Sequence, residues 1–97
     1  MKIKLDDFAY MPERAHPTDA GLDLKTPISF WIHPEQHKVI DTGVHVEIPD
    51  SYVGMLTSKS GLMKRGITSR GTIDSSYRGS IKAVLFNHTD EGIKFPY

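Results

Sequence analysis

Ninety-seven residues carrying 12 basic and 12 acidic side chains and no cysteine fit one small, formally neutral domain that has no disulfides, thiolate metal sites or cysteine nucleophile. The cancelled charge removes the polycation field that drives binding to a nucleic-acid backbone, so no nucleic-acid polymer is an expected partner. No apolar run reaches the length a bilayer demands, and the opening MKIKLDDFAY lacks the apolar core of a signal peptide, so a cytoplasmic protein without membrane contact is expected.

A chain this short buries only about 60 to 65% of the surface its unfolded form exposes, and help from an oligomer is expected. In chain order, DAGLDLKT (residues 19 to 26) comes first; read as a strand, it would turn Asp23 away from Leu22 and Leu24. ISFWI and HKVI follow as short runs rich in β-branched or aromatic residues. In TGVHVEIPD, Val44, Val46 and Ile48 alternate with His45 and Glu47, the period-two pattern of a half-buried strand. YVGMLT is a further strand, and SGLMKRG is the one helical candidate, limited to a turn or two by Gly61 and Gly66, with Ser60 placed to cap its start. IKAVLFN is the last predicted strand, and the tail DEGIKFPY shows no obvious strand. Breakers at Pro27, Pro34, Gly43, Pro49, Gly71 and Gly79 complete the signature of a single all-β domain with one short helix.

Three segments carry chemistry. Asp23 is suited to holding a hydrated Mg²⁺ or a water, although an acid in such a pattern more often sits in solvent on an edge strand. Between Ser51 and Ile73 there is no acid, while Lys59, Lys64, Arg65 and Arg70 all fall there, a local positive stretch suited to a small polyanion or to a solvated face. Within it, SKSGLMKRG offers a hydroxyl, a glycine and a helix start, which describes an anion site or an ordinary capped turn. The third segment, TIDSSYRG, holds Asp74, the only carboxylate between Asp50 and Asp90, together with Tyr77. Its basic sequence neighbourhood keeps that acid ionised and able to orient a water, and the ring is free to stack on a sugar or base or to pack across a hairpin.

Together these segments resemble the trimeric dUTPase family: DAGLDLKT its first motif, SKSGLMKRGI its second, GTIDSSYRGSIKAVLFN its third, and DTGVHVEIP the strand between the first two, from about Ala15 to Asn87. The resemblance implies a β-clip, a distorted jelly-roll barrel, that hydrolyses dUTP to dUMP and pyrophosphate by water attack at the α-phosphorus. The third motif would be a hairpin receiving the nucleoside at Gly71, Thr72, Ile73 and Lys82, with main-chain groups at Gly71 and Lys82 on uracil. Tyr77 would pack beneath the deoxyribose and exclude a 2′-hydroxyl. Asp74 would meet the 3′-hydroxyl and position the water. Ser60 and Gly61 would hold the α and β phosphates, Lys59 would add charge, and Asp23 would hold Mg²⁺ through its waters. A homotrimer would share each site among three chains.

The sequence departs from that pattern in three ways. Lys59 stands where the family usually has arginine, which replaces a planar two-pronged contact with a point charge. Ser76 replaces a common second acid. A GDRIAQL-like fourth motif and a Gly-rich fifth arm do not follow before Tyr97, so a shortened, phage-like enzyme with an open site and weak turnover is expected, or else a nucleotide-binding or regulatory relative. The related dCTP deaminases are disfavoured by Tyr77 and the Ser60-Gly61 pair.

Overall fold

The alternation in VHVE sets the first ladder. Residues 2–95 are described by the computed structural model. Within it β1 (Lys2–Leu5) runs antiparallel to β4 (Val44–Glu47), with Ile3 opposite Val46 and Leu5 opposite Val44. Val44, Val46 and Ile48 are buried with Ile81, and Ile3, Leu5, Leu24, Leu56 and Ile73 pack around them. Side chains of this kind contribute about 1.5 to 3 kcal/mol each on full burial, enough to hold a short ladder that is marginal alone.

A second cluster joins Phe30, Ile32, Ile40, Ile67 and Leu85. It is closed on one side by β2 (Phe30–Ile32) paired with β8 (Ile93–Phe95), where the Phe30 and Phe95 rings stack at 5.4 Å. On the other side stands a four-stranded antiparallel sheet in the order β3-β7-β6-β5, formed by β3 (His37–Asp41), β5 (Gly54–Thr57), β6 (Ile67–Ile73) and β7 (Lys82–Asn87). One short helix, α1 (Ser60–Lys64), connects β5 to β6 and presses Leu62 on this cluster. The all-β class with one helical turn therefore stands.

Several local expectations are corrected. DAGLDLKT is not a strand: it makes a single bridge, Glu13 to Asp23, and Leu22 is exposed while Asp23 and Leu24 are half-buried. Two prolines nearby, Pro17 and Pro27, limit its pairing. The tail does contain a strand, β8, because Ile93 and Phe95 find Ile32 and Phe30 across the ladder. YVGMLT begins its strand only at Gly54; the Tyr52 amide closes a turn on the Pro49 carbonyl and Tyr52 is exposed. Ser60 is the first helical residue and Lys59 occupies the cap position, with no side-chain cap bond. The helix ends because Gly66 takes a φ of +83°, a conformation glycine alone adopts freely. Trp31 is exposed on β2. Among the described residues no helix is long and apolar enough to cross a membrane.

Candidate functional site

The hairpin between β6 and β7 is paired only at its neck. Ile67, Thr68 and Ser69 face Asn87, Phe86 and Leu85, and beyond Ser69 the two limbs part. Gly71, Thr72 and Ile73 continue against Leu56, Met55 and Gly54 of β5, while Lys82 and Ala83 continue against Asp41 and Ile40 of β3. A cleft of about 200 Å³ opens where they diverge, lined by Leu56, Gly71, Thr72, Ile73, Tyr77, Ile81 and Lys82. Strand residues that leave one partner for another present main chain along such a cleft, so it is suited to reading a planar polar ligand by backbone groups. The five residues expected to receive a nucleoside, Gly71, Thr72, Ile73, Tyr77 and Lys82, thus share one cleft.

The 74–81 turn is held by four hydrogen bonds at its return limb. The Ile81 amide donates to the Val44 carbonyl at 2.8 Å, and the Thr42 amide and hydroxyl both donate to the Ile81 carbonyl, at 3.0 and 2.6 Å. The Ser80 hydroxyl donates to the Asp41 carboxylate, which also accepts the Gly43 amide. Those two bonds, the serine first, hold the Asp41 carboxyl below its ordinary pKa of 3.8. Within the turn, the Tyr77 amide donates to the Asp74 carbonyl at 3.0 Å and the phenol donates to the Ser80 carbonyl at 2.7 Å. Asp74 itself is exposed at the head of the turn and is not among the residues lining the cleft.

A second cavity of about 200 Å³, which also touches Leu56, lies between the 21–26 segment, the end of β5 and the start of α1. Asp23 and Lys59 both line it, and the lysine ammonium lies 2.9 Å from the carboxylate. The structure therefore joins the first and second segments through their charges. Ser60 and Gly61 stand exposed at the helix start beside Lys59, outside the lining of either cavity, and a Cβ added at Gly61 would meet nothing within 4 Å. The second segment is tied to the hairpin neck by Ser58, whose hydroxyl accepts the Ser69 amide and donates to the Ser69 carbonyl.

Composition and spacing passed over Asp41, Thr42, Ser58 and Ser80. Each is a small polar residue beside a strand end, where turn chemistry is the ordinary reading. Only DTG before VHVEIP carried a signal, an Asx-type turn that the Asp41 to Gly43 bond realises. Among the described residues no three His, Asp or Glu side chains gather as a metal site, and Asp23 is the one carboxylate lining this second cavity. That donor set fits a hydrated ion that keeps its own waters and takes further oxygens from a ligand.

The sequence matches the dUTPase family model over residues 7–96. It is 42% identical to the deoxyuridine 5'-triphosphate nucleotidohydrolase of Clostridium acetobutylicum over 97% of this chain and 68% of that protein. With its counterpart in Corynebacterium jeikeium it shares 42% identity over 88% of this chain and 57% of the relative. Among solved structures, the dUTPase of Staphylococcus bacteriophage 80alpha superposes with a TM-score of 0.85 at 38% identity, covering 92% of this chain and 59% of that one. The dUTPase from phage phi11 of S. aureus gives 0.85 at 37% identity, over 91% and 59%. The chain spans about 57 to 68% of the length of these curated relatives. On the strength of these matches the chain belongs to the dUTPase family.

Proposed function

We propose that the chain carries the nucleoside-reading and phosphate-holding parts of a dUTP diphosphatase, which splits dUTP into dUMP and pyrophosphate. The observation that carries the reading is the parted hairpin: Gly71, Thr72 and Ile73 on one limb and Lys82 on the other line a single cleft with Tyr77 at its tip. Main-chain groups at Gly71 and Lys82 would bond the uracil edge, and the narrow cleft would exclude a thymine methyl. The Tyr77 ring would lie beneath the deoxyribose and disfavour a 2′-hydroxyl. Asp74, exposed at the head of the turn, would hold the 3′-hydroxyl and the attacking water. Water oxygen then bonds the α-phosphorus, the bond from that phosphorus to the bridging oxygen breaks, pyrophosphate leaves with the electron pair, and Asp74 takes the proton.

Ser60, Gly61 and Lys59 would hold the α and β phosphates, and Asp23 would hold Mg²⁺ through water. The ion, when bound, would neutralise charge on the phosphate oxygens. A dUTPase of phage phi11 is described with a structural Mg(II) ion, and that of bacteriophage 80alpha with dUPNHPP, which supports both ligands here.

Within one chain the hairpin cleft and the Asp23–Lys59 cavity both touch Leu56 and share no charged residue. We take the site to combine them between chains, as the family resemblance implies for a homotrimer. An apolar strip supports such an assembly: Val39 and Phe86 are exposed on the paired strands β3 and β7. A reading of nucleotide binding without turnover follows if assembly fails. Pyrophosphate release from dUTP with Mg²⁺, on protein sized by light scattering, separates the two. Turnover selective for dUTP over dTTP and UTP, abolished in Asp74→Asn, would support the enzyme; equal hydrolysis of dTTP would refute the uracil cleft. Thermal stabilisation by dUTP with Mg²⁺, with no pyrophosphate released, would select the binding reading.

A further inference from the structure

His45 lies on β4 outside every residue group assigned above, and both of its ring nitrogens are engaged. Nδ1 stands 2.8 Å from the Arg78 carbonyl, in the hairpin turn next to Tyr77, and Nε2 stands 3.0 Å from the Asp6 carboxylate, just past the end of β1. A carbonyl oxygen and an ionised carboxylate only accept. Neutral imidazole has one N–H to give, so one of these contacts would set a nitrogen lone pair against an oxygen lone pair. The imidazolium alone satisfies both.

The geometry points to His45 as a positioning residue, a protonated clip that fastens the tip of the nucleoside hairpin to the end of β1 and thereby strengthens deoxyuridine nucleotide binding. It rests on the nucleotide-binding reading above. The neighbouring residue Val44 already holds the return limb through Ile81, so β4 grips the turn at two points, at Ile81 and at Arg78, and Tyr77 lies between Arg78 and the Asp74 carbonyl bond. Release of the Arg78 grip frees the segment that presents the ring while leaving Ile81 anchored.

Charges facing the imidazole come from every element around it. Asp6 follows β1, Lys4 is its ladder partner on β1, Arg78 comes from the turn, and Asp41 lies at the end of β3. Lys2 and Glu47 line the same open groove with it. The Arg78 carbonyl, then the Asp6 carboxylate, favour the charged ring, while partial burial and Lys4 oppose them; the balance raises its pKa above the ordinary 6.5.

The test uses the protein without nucleotide first. Nitrogen-15 spectra at pH 6.0 are expected to show both His45 ring nitrogens protonated, and amide exchange at Tyr77 and Arg78, corrected for its intrinsic pH dependence, is expected to quicken between pH 6 and 8.5. His45→Gln is expected to remove that dependence. For dUMP, the dissociation constant of the parent is expected to weaken about fivefold more over this range than that of His45→Gln. The phosphate titration of dUMP is common to both proteins and drops out of the comparison. Should the glutamine variant fold poorly, Asp6→Asn replaces it and is expected to move the transition to lower pH. A ring with one bare nitrogen at pH 6.0, or parallel profiles for parent and variant, would overturn the clip. Protection of the turn that follows His45 with no dUMP binding at any pH would support the clip and overturn the nucleotide reading.

Discussion

The hydroxyl end of the Tyr77 ring lies against Gly79, so that a Cβ added there would stand 2.6 Å from the phenol oxygen and 2.7 Å from Cζ. Gly79→Ala must therefore displace the ring or the turn, at a cost of about 1 to 3 kcal/mol. Since that ring lines the hairpin cleft, dUMP affinity is expected to fall about tenfold or more. Tyr77→Phe is the control: it loses only the bond to the Ser80 carbonyl, about 1 kcal/mol, and keeps the ring. Titration calorimetry with dUMP compares the two. An alanine variant as tight as the parent would show that the ring can leave Gly79 without loss.

The Asp23–Lys59 pair is exposed at the lysine end, where 65% of the side chain is open to solvent. Screening leaves such a pair worth less than about 1 kcal/mol to stability. Lys59→Ala is accordingly expected to shift the urea midpoint little, while affinity for the non-hydrolysable triphosphate dUPNHPP falls several-fold and affinity for dUMP changes less. A loss of stability with unchanged dUPNHPP binding would make the pair structural and remove Lys59 from the phosphate site.

Asn87 is buried to 1% exposure at the end of β7, and every polar atom of its side chain is used. Its amide nitrogen donates to the carbonyls of Ile32, His33 and Glu91, at 3.0, 3.3 and 2.7 Å, and its oxygen accepts the Thr89 amide and hydroxyl. One residue thus ties β2, β7 and the loop leading to β8. Asn87→Leu removes the side-chain donor from the Ile32 and His33 carbonyls and the acceptor from the Thr89 amide, while the Glu91 carbonyl keeps the Thr89 hydroxyl, and a loss of about 2 to 4 kcal/mol is expected by urea denaturation. Asn87→Asp places an anion against those carbonyls and is expected to be worse at neutral pH, recovering in part as acid protonates it.

Alternation made β4 legible, because Val44, Val46 and Ile48 bury on one face whatever partner they meet. The strand character of β6 was not legible in ITSRGTI, a polar run that becomes a strand because β5 takes one end of it and β7 the other. Nor was that of β8, three residues long, whose pairing depends on Phe30 and Ile32 some sixty residues earlier. Such non-local partners leave no periodic trace. In the candidate site, Gly71, Thr72, Ile73, Tyr77 and Lys82 were legible as one cleft only through resemblance; their spacing alone describes an ordinary hairpin. Asn87 reads in sequence as the punctuation after a strand, and two of its five bonds depend on chain brought back from residues 32 and 33.

Asp41 and His45 grip the same turn from two sides, and they answer to pH in opposite senses. The Asp41 carboxylate is favoured by the Ser80 hydroxyl and the Gly43 amide, so its folded pKa lies below 3.8. The unfolded chain therefore binds its proton first as pH falls. Its contribution is complete above the ordinary carboxylate range and is lost as pH drops through the lowered folded value. Asp41→Asn is expected to flatten the acid side of the stability profile below about pH 4 and to leave the profile above pH 6 unchanged. His45, with its pKa raised above 6.5, contributes fully below that value and loses its contribution as pH climbs through the folded one. His45→Gln should flatten the profile there and spare the acid limb. Urea midpoints measured from pH 3 to 9 on the parent and both variants check the two windows together. A variant that moved the opposite limb would show that its partner in the turn had been misassigned.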